Sequence, residues 1–143
     1  RAALGGRALG TLLADPSTWD IEQPALNVLC SSRGLAALYD SIAADSNSPL
    51  ARGVYQALRY RCDSRDRVLG FPMHWQGGYQ AILSRRGYEP NLIGHRGFGG
   101  SGGWLDTERG LACAFMTPRM TAKPFMDFRF ADVTTAVCEA FSP

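Results

Sequence analysis

The segment from Gly94 to Asp106, GHRGFGGSGGWLD, constrains the fold of this chain more than any other. A strand tolerates such a density of glycine only where another backbone or a ligand comes close to it. The apolar segment Leu111–Met116 follows after a short polar turn. We therefore predict that the glycine-rich segment is a strand lining a site, and that it forms an antiparallel hairpin with a turn at Asp106–Gly110.

Two familiar glycine motifs occur in this segment, and both lack the context that their chemistry needs. Gly97–Gly102 matches the dinucleotide-binding pattern GxGxxG, but a strand is predicted after it where that motif requires a helix. Gly99–Gly103 matches the GxSxG pattern of α/β-hydrolases, which requires a helix after the serine and a triad histidine later in the chain. His74 and His95 both precede Ser101. We reject both interpretations.

The segment instead resembles the third conserved motif of the superfamily of serine β-lactamases, penicillin-binding proteins and family VIII esterases. In the esterase and class C-like branch this motif often has the form Gly-His-x-Gly-x-Gly-Gly-Ser, then an apolar stretch, an Asp-Pro turn and a second apolar strand. Here Gly94–Ser101 has that form, and Asp106-Thr107 stands at the turn. The resemblance implies an α+β fold in which helices flank an antiparallel sheet, a partial serine β-lactamase-like (transpeptidase-like) fold.

The likeness extends beyond the motif to most of the chain from Pro24 onward. Ser31–Tyr39 is similar to a family helix of the form Ala-Arg-x-Leu-Ala-x-x-Tyr, and a terminal amphipathic helix is expected from about Asp127 to Phe141.

The resemblance also implies site residues. His95 takes the position of the motif's Lys or His, whose head group helps bind substrate and manages protons beside the nucleophile. Phe98 takes the position whose backbone N–H is an oxyanion-hole donor, and the loss of one such donor costs on the order of 3 kcal/mol. These two are candidate catalytic residues. Gly97, where a side chain would block the strand edge, and Gly99 are candidate substrate-binding residues. Arg96 is a third, since it departs from the usual Thr or Gly and offers a forked contact to a carboxylate.

The nucleophile motif of that superfamily, Ser-x-x-Lys, does not occur in these 143 residues. The single lysine is Lys123, and Met120 stands three positions before it. The second motif is Tyr-x-Asn. The nearest segment, Tyr88–Asn91, does not match it, because two residues separate the tyrosine from the asparagine where the motif has one. Both motifs precede the matched region in the family. We therefore expect this chain to be the C-terminal portion of such a hydrolase and to be inactive alone.

Composition narrows the remaining function classes. A hydrophobic content of 45% over 143 residues suits a single domain, 1–143, with a core of its own. A net charge of +2 with scattered basic residues argues against nucleic-acid binding. No segment approaches the apolar length of a membrane span, and a cytoplasmic location is expected. The cysteines form no CxxC pair, which favours reduced thiols over a metal site, and no cofactor is expected.

Local signals predict a helical segment over 24–60, antiparallel strands over 67–118 and a C-terminal helix over 127–141. Ser31 or Ser32 is expected to cap a helix that runs to about Ala44, and Ser48-Pro49 to start a second one. Arg67–Trp75 is expected to form an irregular strand. Helices followed by strands and a closing helix suit α+β packing.

The other polar and aromatic residues are given structural roles at this stage. His74 is interpreted as a structural histidine, and Trp104 as a core residue that could rim a cleft. Asp127, Arg129 and Asp132 are interpreted as exposed helix positions.

Two functions follow from these observations. The first is a serine hydrolase of esterase or β-lactamase type, acting through an acyl-enzyme on a small-molecule ester or amide once an N-terminal segment completes it. The second is a non-catalytic module derived from the same fold, which binds a ligand or partner chain through an exposed sheet. A sheet without its neighbours would favour self-association or complementation by the missing half.

Overall fold

The computed structural model describes residue 11 and residues 14–21, 29–45, 47–57, 61–62, 65–70, 72–97, 99–119 and 127–142. Contacts between Cα atoms divide the chain into two compact units, Arg1–Cys30 and Ser31–Pro143. The first unit contains a short 3-10 helix, Pro16–Thr18, whose N-terminus is capped because the Asp15 carboxylate accepts a hydrogen bond from the Ser17 N–H. A single domain over 1–143 stays a prediction.

The described part of the second unit is an α+β fold whose six strands form one antiparallel sheet in chain order. Its helices are α1 (Ser32–Ala44), α2 (Pro49–Ala57) and α3 (Arg129–Ala140). Its strands are β1 (Arg61–Cys62), β2 (Trp75–Gln76), β3 (Tyr79–Ser84), β4 (Gly87–Arg96), β5 (Gly102–Asp106) and β6 (Leu111–Phe115). This architecture agrees with the predicted class, an antiparallel sheet with helices against it.

Serine side chains start the first two helices of this unit, as the sequence predicts. The Ser31 hydroxyl accepts a hydrogen bond from the Gly34 N–H at 3.1 Å, and α1 ends at Ala44. The Ser48 hydroxyl accepts one from the Ala51 N–H at 3.0 Å. Each cap satisfies a backbone donor that the first helical turn would otherwise leave without a partner.

The predicted hairpin is present as β5 and β6, with its turn at residues 107–110. The buried Asp106 carboxylate fixes the turn, because it accepts hydrogen bonds from the Glu108 and Arg109 N–H groups at 2.9 and 3.0 Å. It also accepts one from the Arg109 guanidinium at 2.7 Å. The expected turn role of Asp106 is thereby confirmed.

The glycine-rich segment is not one continuous strand. Strand β4 ends at Arg96 and β5 begins at Gly102, so the segment folds into the end of one strand, a loop and the start of the next. Gly100 has a φ of +94°, a left-handed conformation that other residues rarely adopt and that lets the chain reverse. The prediction of a single strand was wrong because period and composition do not locate such a reversal.

Residues that alternate along β4 and β5 pack against helices on opposite faces of the sheet. Ile93 and Leu105 join Tyr39 and Ile42 of α1 in one buried cluster. Leu92 and Trp104 join Phe130 of α3 in the other. Full burial of each such apolar side chain contributes about 1.5–3 kcal/mol. We call these the α1 face and the α3 face.

Two adjacent glycines of β5 permit this close packing of helices on both faces. A Cβ atom at Gly103 would approach the Tyr39 and Leu35 side chains of α1, and one at Gly102 would approach the Phe130 ring of α3. Both positions lie beside the end of β4, because Gly103 pairs with His95 and Gly102 with Arg96. Residues directly opposite each other in an antiparallel pair share a face, so His95 lies on the α1 face and Arg96 on the α3 face.

The segment before β2 is a turn and not the expected strand over 67–75. The Asp66 carboxylate accepts hydrogen bonds from the Val68 and Leu69 N–H groups, and Gly70 has a φ of +77°. Pairing begins with an isolated bridge between Arg65 and Pro72, and the strand itself comprises Trp75–Gln76. An aspartate that bonds to backbone two and three residues ahead competes with a strand ladder.

Candidate functional site

The site predicted from the glycine motif lies at the end of β4 and in the loop that follows it. His95 is next to the last residue of the strand, and its ring centroid is 6.1 Å from that of Trp75. The imidazole keeps an exposed surface. Burial by the surrounding protein nevertheless lowers the pKa of His95, and the positive charge of Arg96 lowers it further. The imidazole is therefore neutral at neutral pH and able to accept a proton.

Tyr39 lies on the same face of the sheet as His95. Burial raises the pKa of Tyr39 to about 12, with a smaller contribution from Tyr79. The phenol is consequently protonated throughout the physiological pH range.

Arg96 leaves β4 on the opposite face, where a pocket of about 180 Å³ lies between β3 and α3. We call it the α3-face pocket; its walls include Met73, Ile82, Tyr88, Arg96 and Phe130. Gln80 of β3 also lines it, and the Gln80 Oε1 accepts a hydrogen bond from the Arg96 backbone N–H at 3.1 Å. His95 and Arg96, which the sequence placed in one site, thus project to different sides of the sheet.

The glycine loop closes through its own backbone. The Gly97 N–H donates to the Ser101 carbonyl at 2.7 Å, and the Gly100 N–H donates to the Gly97 carbonyl at 3.3 Å. Gly97 and Gly99 are both partly buried in this loop. Phe98, the predicted oxyanion-hole residue, lies outside the described residues.

Ser101 ends the loop in a role that fits structure better than nucleophilic attack. Its hydroxyl oxygen accepts a hydrogen bond from the Thr117 N–H at 3.0 Å, which connects the loop to the segment after β6. Ser101 precedes strand β5, so a helix of the kind that follows an α/β-hydrolase nucleophile is absent at this position.

An ion pair between a buried carboxylate and a partly exposed guanidinium at the start of α3 holds the glycine loop in place. The Asp127 carboxylate accepts two hydrogen bonds from the Arg129 guanidinium, at 2.9 Å from Nε and 2.6 Å from Nη2. Arg129 also donates to the Thr117 hydroxyl at 2.9 Å and to the Gly99 carbonyl at 3.4 Å. A Cβ atom at Gly100 would collide with both Asp127 and Arg129. We call this pair the Asp127–Arg129 clamp.

The clamp corrects the interpretation of Asp127 and Arg129 as exposed helix positions. Asp127 is 6% exposed, and the Arg129 side chain is 33% exposed. Asp132 is exposed as predicted and pairs with Arg85 at 2.5 Å. The sequence shows Asp127 and Arg129 two positions apart before a helix. The neighbouring residues, however, do not reveal whether the two side chains hold a distant loop or form an ion pair exposed to solvent.

Other residues have the structural roles expected of them. Trp104 is fully buried, and its indole N–H donates to the Thr134 hydroxyl at 3.0 Å. The centroids of the His74 and Tyr88 rings are 4.2 Å apart.

Within the described ranges, no group of three or more His, Cys, Asp or Glu residues is placed to hold a metal ion. Nor does any helix in those ranges have both the length and the apolar character needed to span a bilayer.

A sequence relative supports the predicted class at a coarse level. Over 119 residues the chain is 32% identical to a protein named Esterase/beta-lactamase LipL from Mycobacterium tuberculosis (strain ATCC 25618 / H37Rv). The aligned region covers 79% of this chain and 27% of that protein, so the chain spans about a quarter of its relative's length. No family model matches the chain. No solved structure matches it either.

These findings define an α+β unit with an antiparallel sheet that is related in sequence to a hydrolase of the esterase and β-lactamase kind. The similarity fits the resemblance carried by Gly94–Ser101.

Proposed function

We propose that this chain is the C-terminal portion of a serine β-lactamase-like hydrolase, of esterase or β-lactamase type, that acts through an acyl-enzyme. The observation that carries the proposal is the 119-residue similarity to a protein named as an esterase/beta-lactamase. The chain covers 27% of that protein, and the proposal takes the nucleophilic serine from a Ser-x-x-Lys segment outside these 143 residues. The substrate is a small ester or amide.

In this proposal His95 stands beside the nucleophile and accepts or returns its proton. A neutral imidazole at neutral pH suits that task, because a base must be unprotonated before it can take a proton. Its position one residue from the end of β4 suits it too, since the end of a strand leaves room for a substrate and a second segment.

The glycine loop supplies the groups that hold the substrate in this proposal. The Phe98 N–H donates to the oxyanion that forms when the serine attacks the carbonyl. Gly97 and Gly99 leave the backbone bare, so the substrate can lie against it. The Arg96 side chain lies on the opposite face of the sheet, in the wall of the α3-face pocket, so the proposal gives it no contact with a substrate held beside His95. The Asp127–Arg129 clamp supports this arrangement by fixing the Gly99 carbonyl and the Gly100 position.

The hydrolase proposal is tested on the longer polypeptide that contains both this segment and a Ser-x-x-Lys motif. We expect it to cleave a p-nitrophenyl ester, and His95→Asn to lower kcat by about 100-fold or more. His74→Asn is the matched control, because His74 has a φ of +49° that asparagine also tolerates. It should change kcat by no more than about twofold. Equal rates for both variants would contradict the role of His95, and no cleavage of esters or amides would favour a binding module instead.

A further inference from the structure

The α3-face pocket has walls that favour a small apolar ligand. Ile82, Leu83 and Phe130 contribute apolar surface, and Met73 and Tyr88 also line the pocket. Its volume of about 180 Å³ is below the roughly 300–1,000 Å³ of pockets that take drug-sized ligands. A ligand of this site is therefore small, with an apolar body.

Two polar side chains line the same pocket with hydrogen-bond donors to spare. Gln80 is 7% exposed, and its Oε1 is engaged by the Arg96 N–H, so the opposite amide atom, Nε2, carries the free donors. That Nε2 has no hydrogen-bond partner in the described part of the chain. The Arg96 guanidinium likewise forms neither an ion pair nor a hydrogen bond with any described residue. An amide donor and a cation without partners among the described residues favour an acceptor that carries negative charge.

The placement of these donors follows from the sheet register. Gln80 pairs with Gly94 across β3 and β4, and Arg96 lies two residues further along β4, on the same face. None of the described residues that line the pocket is acidic, so none of them offers a carboxylate that would compete for the guanidinium. A ligand carboxylate would reach Arg96 at the mouth of the pocket while its apolar body lies on Ile82 and Phe130.

We propose that the α3-face pocket binds a small apolar carboxylate, with the carboxylate on Arg96 and the Gln80 amide and the hydrocarbon part in the pocket. The site is on the opposite face of β4 from His95. It adds a ligand-binding site to the proposed hydrolase, and its occupation requires no chemical step.

The test is a titration of the isotopically labelled 143-residue chain with hexanoate, followed through backbone amide NMR shifts. We expect saturable shifts at residues that line the pocket, among them Gln80, Ile82 and Ala131. Hexanamide, which has the same hydrocarbon chain without the charge, should bind about tenfold more weakly or worse, because charge-assisted hydrogen bonds are lost. This comparison needs no variant. Equal affinities for the two ligands, or no saturable shift with hexanoate, would overturn the proposal.

Two variants test whether the carboxylate of hexanoate binds at Arg96 and Gln80. Arg96→Gln removes the guanidinium, and Gln80→Glu keeps an acceptor for the Arg96 N–H while replacing the donor with a negative charge. Each should raise the Kd for hexanoate about tenfold or more. Arg52→Gln, at an exposed position of α2, is the control and should leave the Kd within about twofold. A Kd unchanged by both pocket variants would contradict the assignment. These binding experiments do not measure ester cleavage. Hexanoate binding could therefore be found even if the hydrolase proposal fails, and the hydrolase proposal could hold even if hexanoate does not bind.

Discussion

The position of His95 in the sheet both buries its imidazole and places it next to the positive charge of Arg96. Burial by the surrounding protein desolvates the imidazole, and Arg96 adds a positive charge next to it. Both effects disfavour the protonated form, so the pKa of His95 falls below its ordinary value of 6.5. The folded state thus holds a neutral histidine, whereas the unfolded chain protonates it more readily.

This difference predicts how stability depends on pH. Well above about pH 6.5 His95 is neutral in both states and adds no pH dependence; as the pH approaches and passes below that value, the unfolded state binds the proton first and the free energy of unfolding decreases. The decrease continues until the folded pKa is passed. His95→Asn should lose less stability than the wild type between about pH 7.5 and pH 5. Urea unfolding at several pH values measures this, and parallel curves for the two proteins would contradict it.

Gly100 is the residue on which the shape of the loop depends most. Its φ of +94° is strained for any side chain, and a Cβ atom would also collide with the clamp. Gly110 in the β5–β6 turn has a φ of +63°, but a Cβ atom there would meet no other atom within 4 Å.

Alanine substitutions at Gly100 and Gly110 therefore separate the cost of conformational strain from the cost of a steric collision. We expect Gly110→Ala to lower the free energy of unfolding by about 1–2 kcal/mol through strain alone. Gly100→Ala should cost about 3 kcal/mol, because overpacking against Asp127 and Arg129 adds to the strain. Chemical denaturation of both variants provides the comparison. Equal losses would show that the clamp yields to a methyl group at no cost.

At the scale of secondary-structure elements, the start of α3 connects to the glycine loop through the Asp127–Arg129 clamp. One guanidinium joins a buried carboxylate, the Thr117 hydroxyl and the Gly99 carbonyl. The clamp links a helix N-terminus, the segment after β6 and the loop before β5, which are distant in sequence. Arg129 acts in this way as a positioning residue for the loop.

Arg129→Leu should destabilise the protein because it leaves the buried Asp127 carboxylate without its guanidinium. Arg85→Leu breaks the exposed Arg85–Asp132 pair, whose aspartate lies in the first turn of the same helix, and provides the control. We expect the fall in Tm for Arg129→Leu to be at least about twice that for Arg85→Leu. Differential scanning calorimetry measures both. If the fall in Tm for Arg129→Leu is no greater than that for Arg85→Leu, the Asp127–Arg129 clamp does not stabilise the fold as proposed.

Elements with local signals were predictable, and those that depend on distant contacts were not. Ser31, Ser48-Pro49 and the Asp106 turn act within four residues of themselves, so α1, α2 and the β5–β6 hairpin were foreseen. The reversal at Gly100 and the clamp require α3 to reach the loop across about 30 residues of chain, as between Gly99 and Arg129. Gln80 was missed for the same reason, since only the register of β3 on β4 brings it to Arg96.

At the scale of the whole molecule, the sheet and its three described helices all belong to the unit Ser31–Pro143. Both buried clusters lie within that unit as well. A chain that begins at Ser31 retains the N-cap of α1, because the Ser31 hydroxyl is the group that caps it.

We therefore predict that removal of residues 1–30 leaves the cooperative unfolding of the rest intact. The Tm followed by circular dichroism should change by less than about 5 °C, since a larger shift would correspond to a loss of more than about 1 kcal/mol. The full 143-residue chain, purified in parallel, is the reference. Loss of the cooperative transition would mean that the first unit contributes to the core.

We propose that this unit completes a serine hydrolase whose nucleophile lies in another segment, and covalent labelling tests that proposal most directly. A serine-reactive alkyl phosphonate should modify the longer polypeptide at the serine of its Ser-x-x-Lys motif, at a single site found by peptide mass spectrometry. The isolated 143-residue chain should remain unmodified under the same conditions. Modification of the isolated chain at Ser101, or none in the longer polypeptide, would contradict the account.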